Sequence, residues 1–312
     1  MTDRIVQGAL RHVLEPIFEK QFARHSYGFR PGRGCLDAVR RVDGLLEAGY
    51  RYVVDADLKS YFDTIPHDRL LQRVGEQVAD GRVLALIESF LNAKVLEGLN
   101  AWTPEAGAPQ GAVLSPLLSN IYLNPLDHLM VQRGYEMVRY ADDFVILCRS
   151  REEAMAALDL VRQWTAEAGL TLHPEKTRIA DAAEASFEFL GYRFDKGRKW
   201  PREKSKQKLR ENLKPYLKRT SGVSLKETIA KINPKLRGWY GYFKHAERGG
   251  LNDMDRWVRT RLRAIQSKRH GGKGKGRGDA QVKWPNAFFA RLGLFSLVEA
   301  QIAARQSMKM VH

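Results

Sequence analysis

An α+β fold is the expectation for this 312-residue chain, with strands and helices mixed in its first part and helices alone in its last. Three observations carry it. Strand-like and helical segments alternate up to about residue 195 without the regular rhythm of parallel βαβ units. Two apolar runs, Glu136-Met137-Val138-Arg139-Tyr140 and Asp143-Phe144-Val145-Ile146-Leu147, flank a short polar centre and predict a β-hairpin. The charge also reverses along the chain. Residues 1–195 hold 22 Lys/Arg against 28 Asp/Glu, whereas residues 196–312 hold 30 against 8.

The elements follow in order. Up to about Tyr50 the chain reads as helix, loop, helix. The loop Ser26-Tyr27-Gly28-Phe29-Arg30-Pro31-Gly32-Arg33-Gly34 is rich in breakers, and the helix after it carries Ala38, Val39, Val42, Leu45 and Leu46 at helical spacing. Residues 52–58, YVVDADL, have the β-branched alternation of a strand, and residues 68–97 read as mostly helical. Gly107-Ala108-Pro109-Gln110-Gly111 is a loop leading into a helix from about Ser115, whose first turn tolerates Pro116. A helix is predicted over 151–168, with Met155, Leu158, Val161 and Ala168 on one side. Gly169 ends it, and Leu170-Thr171-Leu172 starts another strand. A strand over 187–194 closes the acidic part. Further on, Asn233-Pro234 reads as a helix start, with Leu236, Trp239, Tyr240 and Phe243 forming a buried stripe, and residues 256–266 read as another helix. The tract HGGKGKGRG at 270–278 has no means of forming a core and reads as a mobile basic loop.

Composition narrows the function classes. With 44% hydrophobic and 10% aromatic residues the chain has an ordinary globular make-up. No window approaches 18 consecutive apolar residues, and the N-terminus has no signal-peptide pattern, so a cytoplasmic protein without a membrane span is expected. Cys35 and Cys148 are too few for a disulfide framework or a four-ligand zinc site and read as inert thiols. The net charge of +22 over residues 196–312 predicts a polyanion partner, with binding that weakens steeply with salt.

The chemistry concentrates in carboxylates. Nucleotidyl transfer uses two divalent cations, and hard magnesium prefers carboxylate oxygens with water and phosphates completing its sphere. Asp142-Asp143 taken alone reads as an ordinary turn pair. Apolar strands on both sides, and Asp57 ending another strand, favour a metal-binding trio if the strands lie side by side.

Here the residues resemble a known family, the reverse transcriptases of group II introns. Tyr140-Ala141-Asp142-Asp143 resembles its YADD box, and Asp57-Leu58-Lys59-Ser60-Tyr61-Phe62-Asp63-Thr64-Ile65-Pro66-His67 is similar to its first aspartate block. Tyr27-Gly28-Phe29-Arg30-Pro31 with Arg33-Gly34 resembles a fingers block. Ala108-Pro109-Gln110-Gly111, with Leu114-Ser115-Pro116-Leu117-Leu118-Ser119-Asn120, resembles the template-and-nucleotide block. Gly169-Leu170 with Glu175-Lys176-Thr177, then Phe189-Leu190-Gly191-Tyr192, are similar to the last palm blocks. Residues 231–243, KINPKLRGWYGYF, resemble the maturase domain of the same proteins.

The resemblance implies a right-hand polymerase: partial fingers over 1–50, a palm of antiparallel sheet backed by helices over 51–195, and a basic all-α thumb/maturase domain over 196–312. It implies two magnesium ions, with manganese able to substitute, on Asp57 and Asp142, with Asp143 supporting and the Leu58 carbonyl as a further ligand. Phe62 would lie under the sugar of the incoming dNTP and exclude a 2′-hydroxyl, or else be a core aromatic. Gln110 would line the nucleotide and template pocket, or be a plain loop residue. Lys176 would neutralise or protonate pyrophosphate, or be a solvated lysine. Arg30 would touch a phosphate. Lys231, Lys235, Arg237, Tyr242 and Lys244 would contact RNA. The implied partners are intron RNA, an RNA template/DNA primer duplex and dNTPs, and the oligomeric state is left open.

The chain opens at Met1-Thr2-Asp3-Arg4-Ile5-Val6-Gln7, which resembles the sequence just after the family's first fingers blocks, and no Cys/His-rich nuclease domain is expected after the maturase-like region. Three readings therefore stand: an RNA-directed DNA polymerase that also assists splicing and mobility, an RNA-binding maturase without polymerase activity, and a related polymerase adapted to host use.

Overall fold

The structure is a computed structural model that describes residues 2–93, 95–97, 100–102, 106–109, 111–272 and 278–309. The chain divides into two compact units, Met1–Leu190 and Gly191–His312.

The first unit begins with helix α1, Thr2–Glu19, and helix α2, Cys35–Glu47, followed by strand β1, Tyr52–Asp57. Short helices α3, Tyr61–Thr64, α4, His67–Gly75, and α5, Gly81–Leu91, come next. Strands β2, Val95–Glu97, and β3, Asn100–Trp102, pair as a hairpin. Helix α6, Ser115–Gln132, leads to strands β4, Glu136–Tyr140, and β5, Asp143–Cys148. Helix α7, Arg151–Glu167, then strands β6, Arg178–Asp181, and β7, Phe187–Phe189, complete the unit.

The main sheet has the order β4-β5-β1-β6, with every neighbour antiparallel. Alternation decides its two faces. Val54, Ala56, Leu58, Phe144 and Ile146 point into one core with Leu117, Leu118 and Ile121 of α6 and with Ala154, Ala157 and Val161 of α7, all at most 4% exposed. On the opposite face Val53, Val145 and Leu147 are fully buried or nearly so, as are Ala38, Val39 and Val42 of α2. Asp55, Asp57 and Asp143 share that second face by register. Cys148, buried at the end of β5, has its thiol pushed up to about 12 by burial and is unreactive.

The second unit opens with the hairpin β8, Tyr192–Asp195, and β9, Arg198–Pro201. Helices α8, Glu203–Leu213, α9, Leu225–Phe243, and α10, Arg248–Arg269, form its body. Short helices α11, Asp279–Lys283, and α12, Asn286–Arg291, precede α13, Leu297–Lys309. Asp255 of α10, only 4% exposed, caps α13 from outside: it accepts the backbone N–H groups of Leu297 and Val298 and the Ser296 hydroxyl. Gln301 of α13 donates to the carbonyls of Lys244 and Ala246.

Several expectations need correction. Residues 68–97, mostly helical as expected, divide into two helices, with Asp80 capping the second, and end in strand β2, which pairs locally with β3. The segment 170–172 makes a single bridge, Leu58 to Leu172, and the sheet edge is β6 instead. The strand expected over 187–194 breaks at Leu190 and Gly191, both at positive φ. The helix expected to start at Asn233-Pro234 starts at Leu225, where Ser224 accepts the Glu227 N–H. Its buried Leu225, Ile229 and Ile232 extend the stripe backwards and leave Pro234 inside the helix. Residues 256–266 are the middle of the longer α10, and residues 273–277 of the basic tract lie outside the described residues. Among the described residues, no helix is long and apolar enough to cross a membrane.

Candidate active site

The expected carboxylates lie at one end of the main sheet. Antiparallel pairing sets Asp57 of β1 directly opposite Asp143 of β5, so both side chains emerge on the same face. Asp142 lies in the two-residue turn between β4 and β5, after Ala141 at φ 59. Asp55, two residues before Asp57, shares the face and faces Arg178 across 3.5 Å.

The electrostatics are those of crowded anions. Burial, then the charges of Asp55 and Asp142, push the Asp143 carboxyl up to about 7, against a donated Leu190 backbone N–H that favours its charged form. Burial, partly offset by Arg178, pushes Asp55 up to about 6. Asp142 is also raised, by burial and by Asp57, while Arg139 pulls it down. Lys176 donates a hydrogen bond to Asp57 Oδ2 at 2.7 Å, which raises the lysine above its ordinary range. Among the described residues, no three His, Cys, Asp or Glu side chains converge closely enough to form a ready metal cage. The donor chemistry still fits a hard divalent cation, since all the donors are carboxylate oxygens that disfavour each other's ionisation.

The other expected residues are distributed as follows. Phe62 is half-buried, its ring edge-on to Tyr61 at 5.4 Å, and Tyr61 is fixed by its hydroxyl to the Ser119 carbonyl at 2.8 Å. The loop before Gln110 docks there, with Ala108 N donating to the Phe62 carbonyl at 2.7 Å and Gly107 N to the Ile65 carbonyl at 2.8 Å. Gln110 itself lies outside the described residues. The Leu58 side chain is buried beside Leu172, and backbone bonds from His173 to the Asp57 carbonyl and from Lys59 to the Thr171 carbonyl bring the Lys176 segment to the site.

Arg30 departs from expectation. Its guanidinium is 3% exposed and donates to Glu19 and to the carbonyls of Ala23 and Ser26, so it holds the loop together and has no face for a phosphate. In the second unit Lys231 pairs with Glu227, Lys235 lies over the Tyr216 ring, and Arg237 lies over Phe295. Lys244 is exposed just after α9, and Tyr242 is half-buried against Tyr192 and Phe243.

Two features of the site lie beyond the sequence reading. Asp55 has a signal, since strand alternation alone puts it on the Asp57 face. The buried partners of Arg139, namely Asp127 and Asn120, have none, because they lie 12 and 19 residues away on α6.

Residues 1–194 match the family of reverse transcriptases (RNA-dependent DNA polymerases), and residues 198–284 match the maturase-specific domain of group II introns. The chain is 34% identical over 233 residues to protein YkfC of Escherichia coli K12, covering 62% of this chain and 61% of that one. It is 40% identical over 131 residues to the group II intron-encoded protein LtrA of Lactococcus lactis, covering 42% and 22%. It thus spans less than two thirds of the length of either relative. Among solved structures it is similar to apo telomerase from Candida tropicalis, with a TM-score of 0.53 at 14% identity over 84% of this chain and 55% of that one. That likeness is one of fold, a polymerase palm followed by a helical region. The chain belongs to the reverse transcriptase family, in the group II intron-encoded branch that carries a maturase domain.

Proposed function

We propose that this chain copies RNA into DNA and, through its basic second unit, binds intron RNA so as to assist splicing and mobility. The observation that carries the polymerase reading is the register pair Asp57–Asp143 with Asp142 in the adjacent turn. Two magnesium ions, for which manganese can substitute, suit Asp57, Asp142, Asp143 and the Leu58 carbonyl. When bound they would neutralise charge on the attacking 3′-hydroxyl and the leaving pyrophosphate.

The chain's own residues do the rest. Phe62, backed by Tyr61, closes the floor under a dNTP sugar and excludes a 2′-hydroxyl by bulk. Gln110, one residue beyond the docked segment 107–109, lines the nucleotide and template pocket. Lys176, which already reaches Asp57, would neutralise or protonate a departing pyrophosphate. Lys231, Lys235, Arg237, Tyr242 and Lys244 contact RNA, chiefly through phosphate.

The test is primer extension by the purified protein on an RNA template with a DNA primer, dNTPs and magnesium, beside Asp142→Ala. Extension by the wild type alone is expected, and extension that survives in the variant would remove the metal-site assignment. The surplus of positive charge over residues 196–312 favours one other reading, an RNA-binding maturase without polymerase activity. Salt-sensitive RNA binding by both proteins with extension by neither would leave that reading standing.

A further inference from the structure

A single buried guanidinium stands behind the aspartate turn. Arg139, the fourth residue of β4, is 0% exposed. Its Nε and Nη2 donate to the two carboxylate oxygens of Asp127 at 2.7 and 2.5 Å. Its Nη1 donates to Asn120 Oδ1 at 3.0 Å and to the Ala141 carbonyl at 2.8 Å. Asn120 Nδ2 in turn donates to the Gly28 carbonyl at 2.7 Å. The Arg139 backbone is gripped as well, since its N–H donates to the His25 carbonyl and its carbonyl accepts the Tyr27 N–H.

Helix α6, the loop 25–28 and the carbonyl preceding Asp142 are therefore joined at Arg139, through its side chain, its backbone and Asn120. Fold stability alone is a poor explanation, because replacing a buried ion pair by apolar groups of similar volume is often neutral or stabilising. The location has a better one. Ala141 is a non-glycine residue at positive φ, an unfavourable conformation that its partners must hold. Arg139 supplies that hold directly, through the Ala141 carbonyl.

We propose that Arg139 is a positioning residue that, neutralised by Asp127 and braced by Asn120, aims the carboxylates of Asp142 and Asp143 for divalent-cation binding. This rests on the reading of the three aspartates as a metal site. Its nearest analogy is the outer partners of metal ligands, whose loss typically lowers affinity or activity about 10- to 100-fold.

The test uses the whole chain carrying Arg139→Met together with Asp127→Leu, which removes both charges and keeps most of the volume. Manganese binding is followed by electron paramagnetic resonance, and primer extension is measured against magnesium concentration. The expected result is an unfolding midpoint near that of the wild type, with manganese affinity about 10-fold weaker or more and half-saturating magnesium raised in proportion. A folded double variant with wild-type manganese affinity overturns the proposal. If the double variant does not fold, Arg139→Lys takes its place. Its charge stays, but an ammonium cannot span Asp127, Asn120 and Ala141 together, so the same weakening is expected and unchanged affinity again overturns the proposal. A wild-type protein that binds no manganese fails differently, because it sinks the metal site itself.

Discussion

Replacing Gly28 with alanine tests how tightly the loop 25–28 is built onto the aspartate turn. A Cβ at Gly28 would lie 2.2 Å from the Ala141 nitrogen, 2.9 Å from the Tyr140 carbonyl carbon and 3.1 Å from the Ala141 Cα. Ordinary contact begins at 3.4 Å, so the two backbones must part by about 1.2 Å, the difference between 3.4 and 2.2. Both are backbone, and neither has a flexible end that could give way. The hydrogen bonds from Tyr27 N to the Arg139 carbonyl and from Asn120 Nδ2 to the Gly28 carbonyl, at 2.8 and 2.7 Å, would be stretched or broken. Each contributes about 1 kcal/mol, and the overpacking itself costs about 1–3 kcal/mol. The expected destabilisation is therefore about 3–5 kcal/mol. A shift of about 1 Å at a reacting centre also lowers turnover about 100-fold. Urea unfolding and primer extension measure the two effects. Gly32→Ala is the control: it has nothing within 4 Å but sits at φ +67, so its cost is limited to about 1–2 kcal/mol of backbone strain. If Gly28→Ala unfolds at the same urea concentration as Gly32→Ala and extends primers at the wild-type rate, the close packing of loop and turn is refuted.

Other expectations follow from the same structure. Asp143 and Asp55 are pushed up to about 7 and about 6 by burial, so the folded protein holds protons that the unfolded chain releases near pH 4. Stability without divalent ions should therefore fall as pH rises from about 4 to about 7 and then level off. Magnesium should raise the melting temperature clearly at pH 8 and little at pH 5, where protons occupy its ligands; equal shifts at both would contradict the site. Asp255→Ala should destabilise the second unit by about 1–2 kcal/mol by uncapping α13, read by thermal unfolding. Neutralising Lys231, Lys235 and Arg237 together should flatten the plot of log RNA affinity against log salt by about 0.7–0.9 for each phosphate left without its cation. An unchanged slope would move the RNA surface elsewhere.

Much of the fold is legible because local pattern and tertiary demand agree. The hairpin of β4 and β5, helix α2 and helix α7 stand where periodicity places them. The departures share a different cause. Periodicity in α9 reads only from Leu236 onward because Pro234 suggests a start, although proline also fits where a helix can spare one hydrogen bond. The break at Leu190-Gly191 depends on a backbone turn that brings the Leu190 N–H to Asp143, 47 residues earlier, which no strand pattern records.

Within the site, Asp57, Asp142 and Asp143 are readable as a set because an Asp-Asp pair between two apolar runs marks a hairpin tip and Asp57 closes a third strand-like run. Arg30 reads in the sequence as a phosphate contact, and the structure makes it a brace. A sequence gives the charge of an arginine but not the acceptors waiting for it, here Glu19 and the carbonyls of Ala23 and Ser26. Arg139 is the converse case, an arginine in an apolar strand whose carboxylate and amide partners lie on a helix packed against the sheet. The sequence alone determined which residues carry charge, where strands and helices alternate, and to which family the blocks belong. Only the tertiary structure decided which charges face solvent and which are neutralised inside. That outcome depends on contacts between segments far apart in the chain, where burial makes an unpaired charge too costly to leave.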